Sequence, residues 1–247
     1  MLLTNMRNSE FNKTIQDLLK SEYRRVQSFK DYDGSKLWLK SIEKYSLKHI
    51  LKGDPKKAIL REIKAEYALK RIGFPSSGIV YHNQKYIVFK DAGGTLEDIF
   101  REKKFSLKIR KEIFQKAGEL FGILHSNKYA HGGLALRDIC WDGKNVTFLD
   151  FEKFRDTQFN YKKLSIDFYF FIHSWFKLSS ESGPELLAFV DKYKNCIDKI
   201  LWQEVIGLPR RYNKLKNITI IINSNNKDII AFQRAITFLK TLNEDNK

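Results

Sequence analysis

Two cysteines in 247 residues, Cys140 and Cys196, are too few and too far apart for a disulfide framework or a thiolate zinc site, and both are expected to be reduced. Long apolar runs are missing as well. Phe168–Ile172 is as long as any, against the roughly 18 residues that a membrane-spanning helix needs. The segment Met1 to Arg7 places its apolar side chains before its charge, the reverse of a secretory signal, so a cytoplasmic location is expected. Internal repeats and low-complexity tracts are lacking, which excludes solenoids and linker-like chains. Negative charge is scarce: 45 Lys and Arg stand against 29 Asp and Glu, a net charge of +16. That excess implies attraction to something anionic, whether nucleic acid, an acidic membrane surface or a phosphorylated substrate. It does not choose among them, because 33 of the basic residues are lysines of the kind that cover ordinary solvated faces. What is plentiful is apolar and aromatic: 43% hydrophobic residues with 19 Phe and 11 Tyr can bury a core large enough to offset the ordering entropy. The length suits one domain or two small lobes.

The spacing of Phe11, Ile15, Leu18 and Leu19 predicts an amphipathic leading helix over 8–22. Strands are then expected at Val26–Lys30 and Lys36–Lys40, joined through Asp33-Gly34. From Lys56 to Ile72 the positions Ile59, Ile63 and Tyr67 recur every four residues, with Glu62, Glu66 and Lys70 as a second row of the same helix, stopped by Gly73-Phe74-Pro75. Ile79–Tyr81 and Tyr86–Phe89 read as a hairpin, and Asp91–Gly94 as a joint. A short helix at Leu96–Phe100 precedes a long one carrying Ile109, Ile113, Ala117, Leu120 and Leu124. A second hairpin is expected at Ile139–Trp141 and Val146–Leu149, and only helices from residue 164 onward, including 184–205 and 226–243, with Phe232, Ile236 and Leu239 as core contacts. The fold class is therefore α+β and bilobal: a small β-rich N-terminal lobe with a leading helix over 1–90, and a helical C-terminal lobe over 91–247.

The stretch His131-Gly132-Gly133-Leu134-Ala135-Leu136-Arg137-Asp138, followed after the hairpin by Asp150-Phe151-Glu152, resembles the catalytic loop and metal motif of the protein-kinase-like superfamily. The other elements come in that family's order: Lys40 on a strand, Glu62 on the next helix, a joint near 90–94, and a long helix leading into His131. Over roughly 23–175 the chain looks most like the compact bacterial lipopolysaccharide core kinases that phosphorylate Kdo or heptose. That likeness rests on the His-Gly-x-Leu loop, the Asp-Phe-acid motif, the short first hairpin, and the mere ten residues, Arg155 to Leu164, between the metal motif and the next helix.

The resemblance implies ATP and Mg²⁺ as cofactors and a role for each matching residue. Lys40 would hold the α and β phosphates and Glu62 would orient it, with Glu66 one turn later as the rival. Lys90, Asp91 and Ala92 would meet the nucleotide at the joint. Asp150 would hold Mg²⁺ through oxygen. Asp138 would be the second metal ligand in place of the usual Asn, and the candidate catalytic residue. His131 would brace the loop, and Asp167 would hold the loop backbone, a role compatible with its also being a carboxylate at the start of the helix Phe168–Phe176. The expectation is that Lys40, Glu62, Asp138 and Asp150 meet around a magnesium triphosphate.

Two departures from the family's pattern stand out. The position two residues after His131, where the loop aspartate belongs, is Gly133, which can neither accept a proton nor orient a hydroxyl. No Gly-x-Gly-x-x-Gly covers the phosphates either; residues 24–40 offer only Gly34, leaving a short lid made from the hairpin at 26–30. Three functions follow. The first is an ATP-dependent phosphotransferase acting on a sugar of a lipopolysaccharide core, with an anionic glycolipid or sugar as acceptor and peripheral contact at the inner membrane face. The second is a pseudokinase that binds nucleotide or a partner without transfer, and the third an atypical RNA-associated kinase. The third lacks an RNA-binding signature interleaved with the basic residues, so nucleic acid is not the expected partner.

Overall fold

The computed structural model describes residues 2–20, 24–42, 54–76, 78–212 and 226–244. They form two compact units. Met1–Ala92 and Asp150–Glu152 make the first, and Gly93–Leu149 and Lys153–Lys247 the second. The class is α+β, with a small β-rich unit and a mostly helical one.

The first unit contains α1 (Leu2–Lys20), β1 (Val26–Lys30), β2 (Lys36–Ser41), α2 (Pro55–Arg71), β3 (Ile79–His82) and β4 (Tyr86–Lys90), the strands forming an antiparallel sheet in the order β1-β2-β4-β3. Side chains of a strand alternate between faces, and that alternation decides everything that follows. Leu37, Leu39, Tyr86 and Val88 face one way and bury Ile15 of α1, with Phe11 and Leu18 beside it. Ile87 and Phe89 face the other way and meet Ile59 of α2, with Trp38, Ile42, Ile63 and Ile79 alongside. Lys40 has the parity of Trp38, so it lies on the face that α2 covers. Helix α1 reaches back to Leu2, six residues before the predicted start, because neither Gly nor Pro interrupts 2–20.

Helix α2 begins where the sequence chemistry places it: Asp54 accepts a hydrogen bond from the Lys56 N–H, and Pro55 occupies the first turn, where its missing N–H costs nothing. Its buried face is not the expected Ile59–Ile63–Tyr67 row. Ile59, Glu62, Ala65, Ala68 and Leu69 are buried, whereas Tyr67 is 58% exposed and meets His82 edge-on. The i, i+3 row wins over the i, i+4 row because Glu62 is drawn inward by a charge on the sheet.

The second unit contains β5 (Gly94–Thr95), α3 (Leu96–Glu102), α4 (Leu107–Ser126), β6 (Tyr129–Ala130), β7 (Ile139–Trp141), β8 (Val146–Phe148), β9 (Arg155–Asp156), α5 (Tyr161–Phe176), α6 (Pro184–Asn195), α7 (Lys199–Ile206) and α8 (Lys227–Glu244). Phe121 of α4 lies among Phe168, Phe171, Phe189 and Tyr193, and Phe171 stacks on Phe189 with ring centroids 3.7 Å apart. Ile113, Ala117, Leu120 and Leu124 are buried as expected, whereas Ile109, in the first turn, is exposed. Ile236 and Leu239 are fully buried; Phe232 is only partly so, against Tyr169 and Tyr212. The two-residue strands β6 and β9, which pair with each other, were not legible as strands.

Two glycines let α4 and α6 approach closely. A Cβ on Gly118 would collide with the Phe189 carbonyl, and one on Gly122 with the side chain of Cys196. Gly118→Ala should therefore lower the urea midpoint, although alanine is worth about 1 kcal/mol more than glycine in a helix interior. A raised midpoint would show that the helices can separate at little cost.

Candidate functional site

Lys40 is the centre of charge in the first unit. Its Nζ donates to Glu62 Oε2 at 2.8 Å and to Asp150 Oδ1 at 2.7 Å, and lies 2.9 Å from Glu152 Oε1. The lysine is delivered by the pleat of β2, Glu62 by the turn of α2 after Ile59, and Asp150 and Glu152 by the 3₁₀ turn Phe151–Lys153. Asp150 sits at φ 63°, the left-handed region that Asp tolerates better than most residues. Two arginines complete the cluster: Arg25 pairs with Glu152 through its guanidinium, and Arg61 Nε donates to the Glu152 carbonyl at 2.6 Å. Three carboxylates thus meet two cations, with Arg61 holding the backbone beside them.

Burial pushes the Glu62 carboxyl up from its ordinary value, and nearby Asp150 adds to the rise, while Lys40 pulls it back. Between Glu62 and Glu66 the choice is settled by position, since Glu62 is buried against Lys40 and Glu66 stands farther out on the helix. Asp150 differs from Glu62 in exposure: 44% of its side chain is open, so it can meet a ligand from solvent. Glu62, Asp150 and Glu152 offer carboxylate oxygens within 4.8 Å of one another. Such hard oxygen donors fit Mg²⁺, with Asp150 and Glu152 the accessible pair.

Of the residues expected at the joint, Asp91 is tied to β2. Its carboxylate accepts from Trp38 Nε1 at 2.5 Å and pairs with Lys36 at 3.0 Å, and its N–H donates to the Lys36 carbonyl. The Lys90 N–H is given to the Gly78 carbonyl. The N–H groups of these two residues are therefore already donated within the first unit. Ala92 ends the first unit.

In the second unit the loop after His131 hangs on one buried carboxylate. Asp167 accepts backbone N–H groups from His131 (2.6 Å), Gly132 (2.9 Å) and Gly133 (2.7 Å). Burial would raise its pKa, but the hydrogen bond from His125 and the backbone donors outweigh that and hold it below the ordinary carboxylate value. Because Asp167 lies two turns inside α5, whose N-cap is Asn160, the reading as a helix-start carboxylate is set aside. Burial keeps His125 neutral, so its Nε2–H donates to Asp167 and its Nδ1 accepts from Tyr193 at 2.7 Å. His131 Nε2 donates to the Leu149 carbonyl at 2.7 Å, and the Leu149 N–H to the Asp138 carbonyl at 2.7 Å, which pins the residue preceding Asp150. Asp138 belongs to this second unit. Its carboxylate accepts the Ala135 N–H at 3.0 Å and lies 3.6 Å from Arg137 Nε.

Sequence reasoning passed over Arg25, Arg61, His125 and Tyr193. Only His125 carried a signal, four residues after Phe121 on the buried stripe of α4; the arginines are marked by nothing but the fold. Val26 is opposite Lys40 and Lys30 opposite Lys36, so the hairpin at 26–30 runs alongside Lys40, and Gly34 lies in the turn beyond Lys36, which is itself about 13 Å from Lys40 at 3.3 Å per residue.

No family model matches the chain. An uncharacterized protein of Haemophilus influenzae (strain Rd) is 27% identical over 210 residues, covering 84% of this chain and 86% of that protein. Among solved structures, a chain of the yeast RNA Pol II CTD kinase CTDK-1 complex is similar with a TM-score of 0.40 and 23% identity, covering 54% of this chain and 44% of that one. The match thus spans less than half of the yeast chain, and a likeness so partial says nothing about the reaction.

Lys40→Met should destabilise the protein by about 3–5 kcal/mol, because it leaves a buried carboxylate uncompensated. The sign with pH follows from the raised Glu62 pKa: the loss is absent below the unfolded carboxyl pKa and grows as pH rises through the folded one. Urea titrations between about pH 4 and 8 measure it, and adding Glu62→Gln should recover most of the loss. A pH-independent loss would mean that Glu62 is not the stranded charge. Gly133→Asp would put a carboxylate two residues after His131, yet φ is 146° there, a conformation that residues with a Cβ rarely adopt. The variant should melt several degrees lower; an unchanged melting temperature would show that the loop accommodates the residue.

Proposed function

We propose that this chain is an ATP-dependent phosphotransferase of kinase-like fold. The observation that carries it is the meeting of Lys40, Glu62 and Asp150, drawn from positions up to 110 residues apart, within 2.8 Å of one ammonium group. A buried structural ion pair needs one carboxylate; here a buried one fixes the lysine and a half-exposed one remains open to solvent. Phosphoryl transfer requires that kind of positioned charge. In this reading Lys40 binds phosphate oxygens, Glu62 keeps its ammonium aimed, and Asp150, aided by Glu152, holds Mg²⁺. The metal would neutralise charge on the phosphates when bound. Asp138 is proposed, on the resemblance alone, to supply a further oxygen ligand. Asp167, His125 and His131 act on geometry rather than on substrate, fixing the loop and the residue before Asp150.

For the acceptor we favour a hydroxyl of a sugar on an anionic glycolipid, as in lipopolysaccharide core. The support is the net charge of +16 and the brief connection between Asp156 and α5, which starts at Tyr161 and leaves no platform for a peptide. Among the described residues no helix is long and apolar enough to cross a membrane, so contact with such an acceptor would be through the surface. One observation favours a second reading, nucleotide binding without transfer: Gly133 offers no carboxylate where the loop base belongs.

Mg-ATP should raise the melting temperature of the wild type and leave Asp150→Ala unmoved. A shift in neither would count against a nucleotide site. Transfer of labelled γ-phosphate to purified core oligosaccharide or deacylated lipid is the expected second result; binding with no transfer to either makes the second reading the better one.

A further inference from the structure

A second cation stands beside Lys40, in a chain with no glycine-rich loop to wrap phosphates. Val26 is opposite Lys40 in the β1–β2 ladder, and the Ser41 N–H donates to the Arg25 carbonyl at 2.8 Å, which fixes Arg25 at the Lys40 end of the sheet. The arginine guanidinium pairs with Glu152 Oε1, and the same oxygen lies 2.9 Å from Lys40 Nζ. One carboxylate oxygen therefore sits between two cations, one on β2 and one just before β1. The fit is poor in one respect. Both Arg25 Nε and Glu152 Oε1 are buried, and neither makes an aligned hydrogen bond among the described residues. A carboxylate can neutralise the pair but does not fill the donor geometry that a guanidinium presents. A phosphate group, with more oxygens spread tetrahedrally and more charge, suits two such cations better.

We infer that Arg25 is a phosphate-binding residue of the nucleotide site, and that Glu152 is an internal anion holding the phosphate's place until a triphosphate displaces it. The inference rests on the reading of Lys40 as a nucleotide-binding residue. Side-chain cations at the Lys40 end of the hairpin then do what backbone N–H groups of a glycine-rich loop do elsewhere, and Gly34, at the opposite end, has no part in it. Because Glu152 competes for the same two cations, it lowers apparent affinity by the fraction of molecules in which it occupies them.

Calorimetric titration of the full chain tests this with two probes, Mg-ATP and, separately, sodium tripolyphosphate without divalent metal. Arg25→Gln should weaken both by about tenfold, and Arg25→Lys, which keeps the charge but loses the fork, by less. Glu152→Gln should bind tripolyphosphate about tenfold more tightly than wild type, since its competitor is gone while no metal is present to miss a ligand. If wild type binds and Lys40→Met does not, but Arg25→Gln binds as wild type does or Glu152→Gln binds tripolyphosphate no tighter, the inference falls and the nucleotide reading stands. If wild type binds neither probe, both fall. Should Arg25→Gln fail to fold, the Glu152→Gln titration still decides.

Discussion

An ammonium group shielded from water is costly unless its partners are fixed around it, and in this protein three carboxylates are fixed around Lys40. Each comes from a different structural decision. The pleat of β2 turns the lysine toward α2; the cap at Asp54 sets where α2 begins, and so which residue of it faces the sheet; the left-handed turn at Asp150 brings in two further acids. Remove the lysine and the buried carboxylate loses its reason to be charged. The same constraint explains why the inner face of α2 carries Glu62 among Ile59, Ala65 and Leu69, a placement that hydrophobicity alone would not choose.

The second unit solves a parallel problem with the charges reversed. A buried carboxylate, Asp167, is satisfied by three backbone N–H groups and a neutral histidine, so its negative charge organises the loop that follows β6. His125 can serve only as the neutral tautomer, and the Tyr193 hydroxyl, whose own pKa burial raises well above the ordinary value, keeps that tautomer in place. The chain thus uses its buried ionisable groups to hold backbone near Asp138 and Leu149, and leaves Asp150, whose side chain is nearly half exposed, where a ligand can reach it.

Much of this was legible in the sequence, for identifiable reasons. The short apolar runs Leu37–Leu39 and Tyr86–Phe89 mark strands covered on both faces. The order of Lys40, Glu62, His131 and Asp150 carries the family resemblance, and with it the expectation that Lys40, Glu62, Asp138 and Asp150 serve one site; three of these four, Asp138 excepted, are joined by hydrogen bonds to the lysine. What could not be read is whatever depends on long-range placement of long side chains. Arg25 and Arg61 look like any of the other basic residues until the fold brings Glu152 to them. Tyr67 was misjudged for the opposite reason: its spacing matched the apolar row, but an ion pair, not hydrophobic burial, set the rotation of α2. The loop glycines are a further case, since the φ values of Gly132 and Gly133 come from the cradle around Asp167 and not from any local turn motif.

The central claim is that Lys40, among 33 lysines, lies against the phosphates of a bound nucleotide. An acyl-phosphate derivative of ATP, which transfers its acyl group to an amine next to the phosphate chain, tests that directly when the labelled peptides are read by mass spectrometry. The account predicts dominant labelling of Lys40 that excess ATP suppresses. Labelling spread over surface lysines, with Lys40 no more modified than the rest and no protection by ATP, would contradict it.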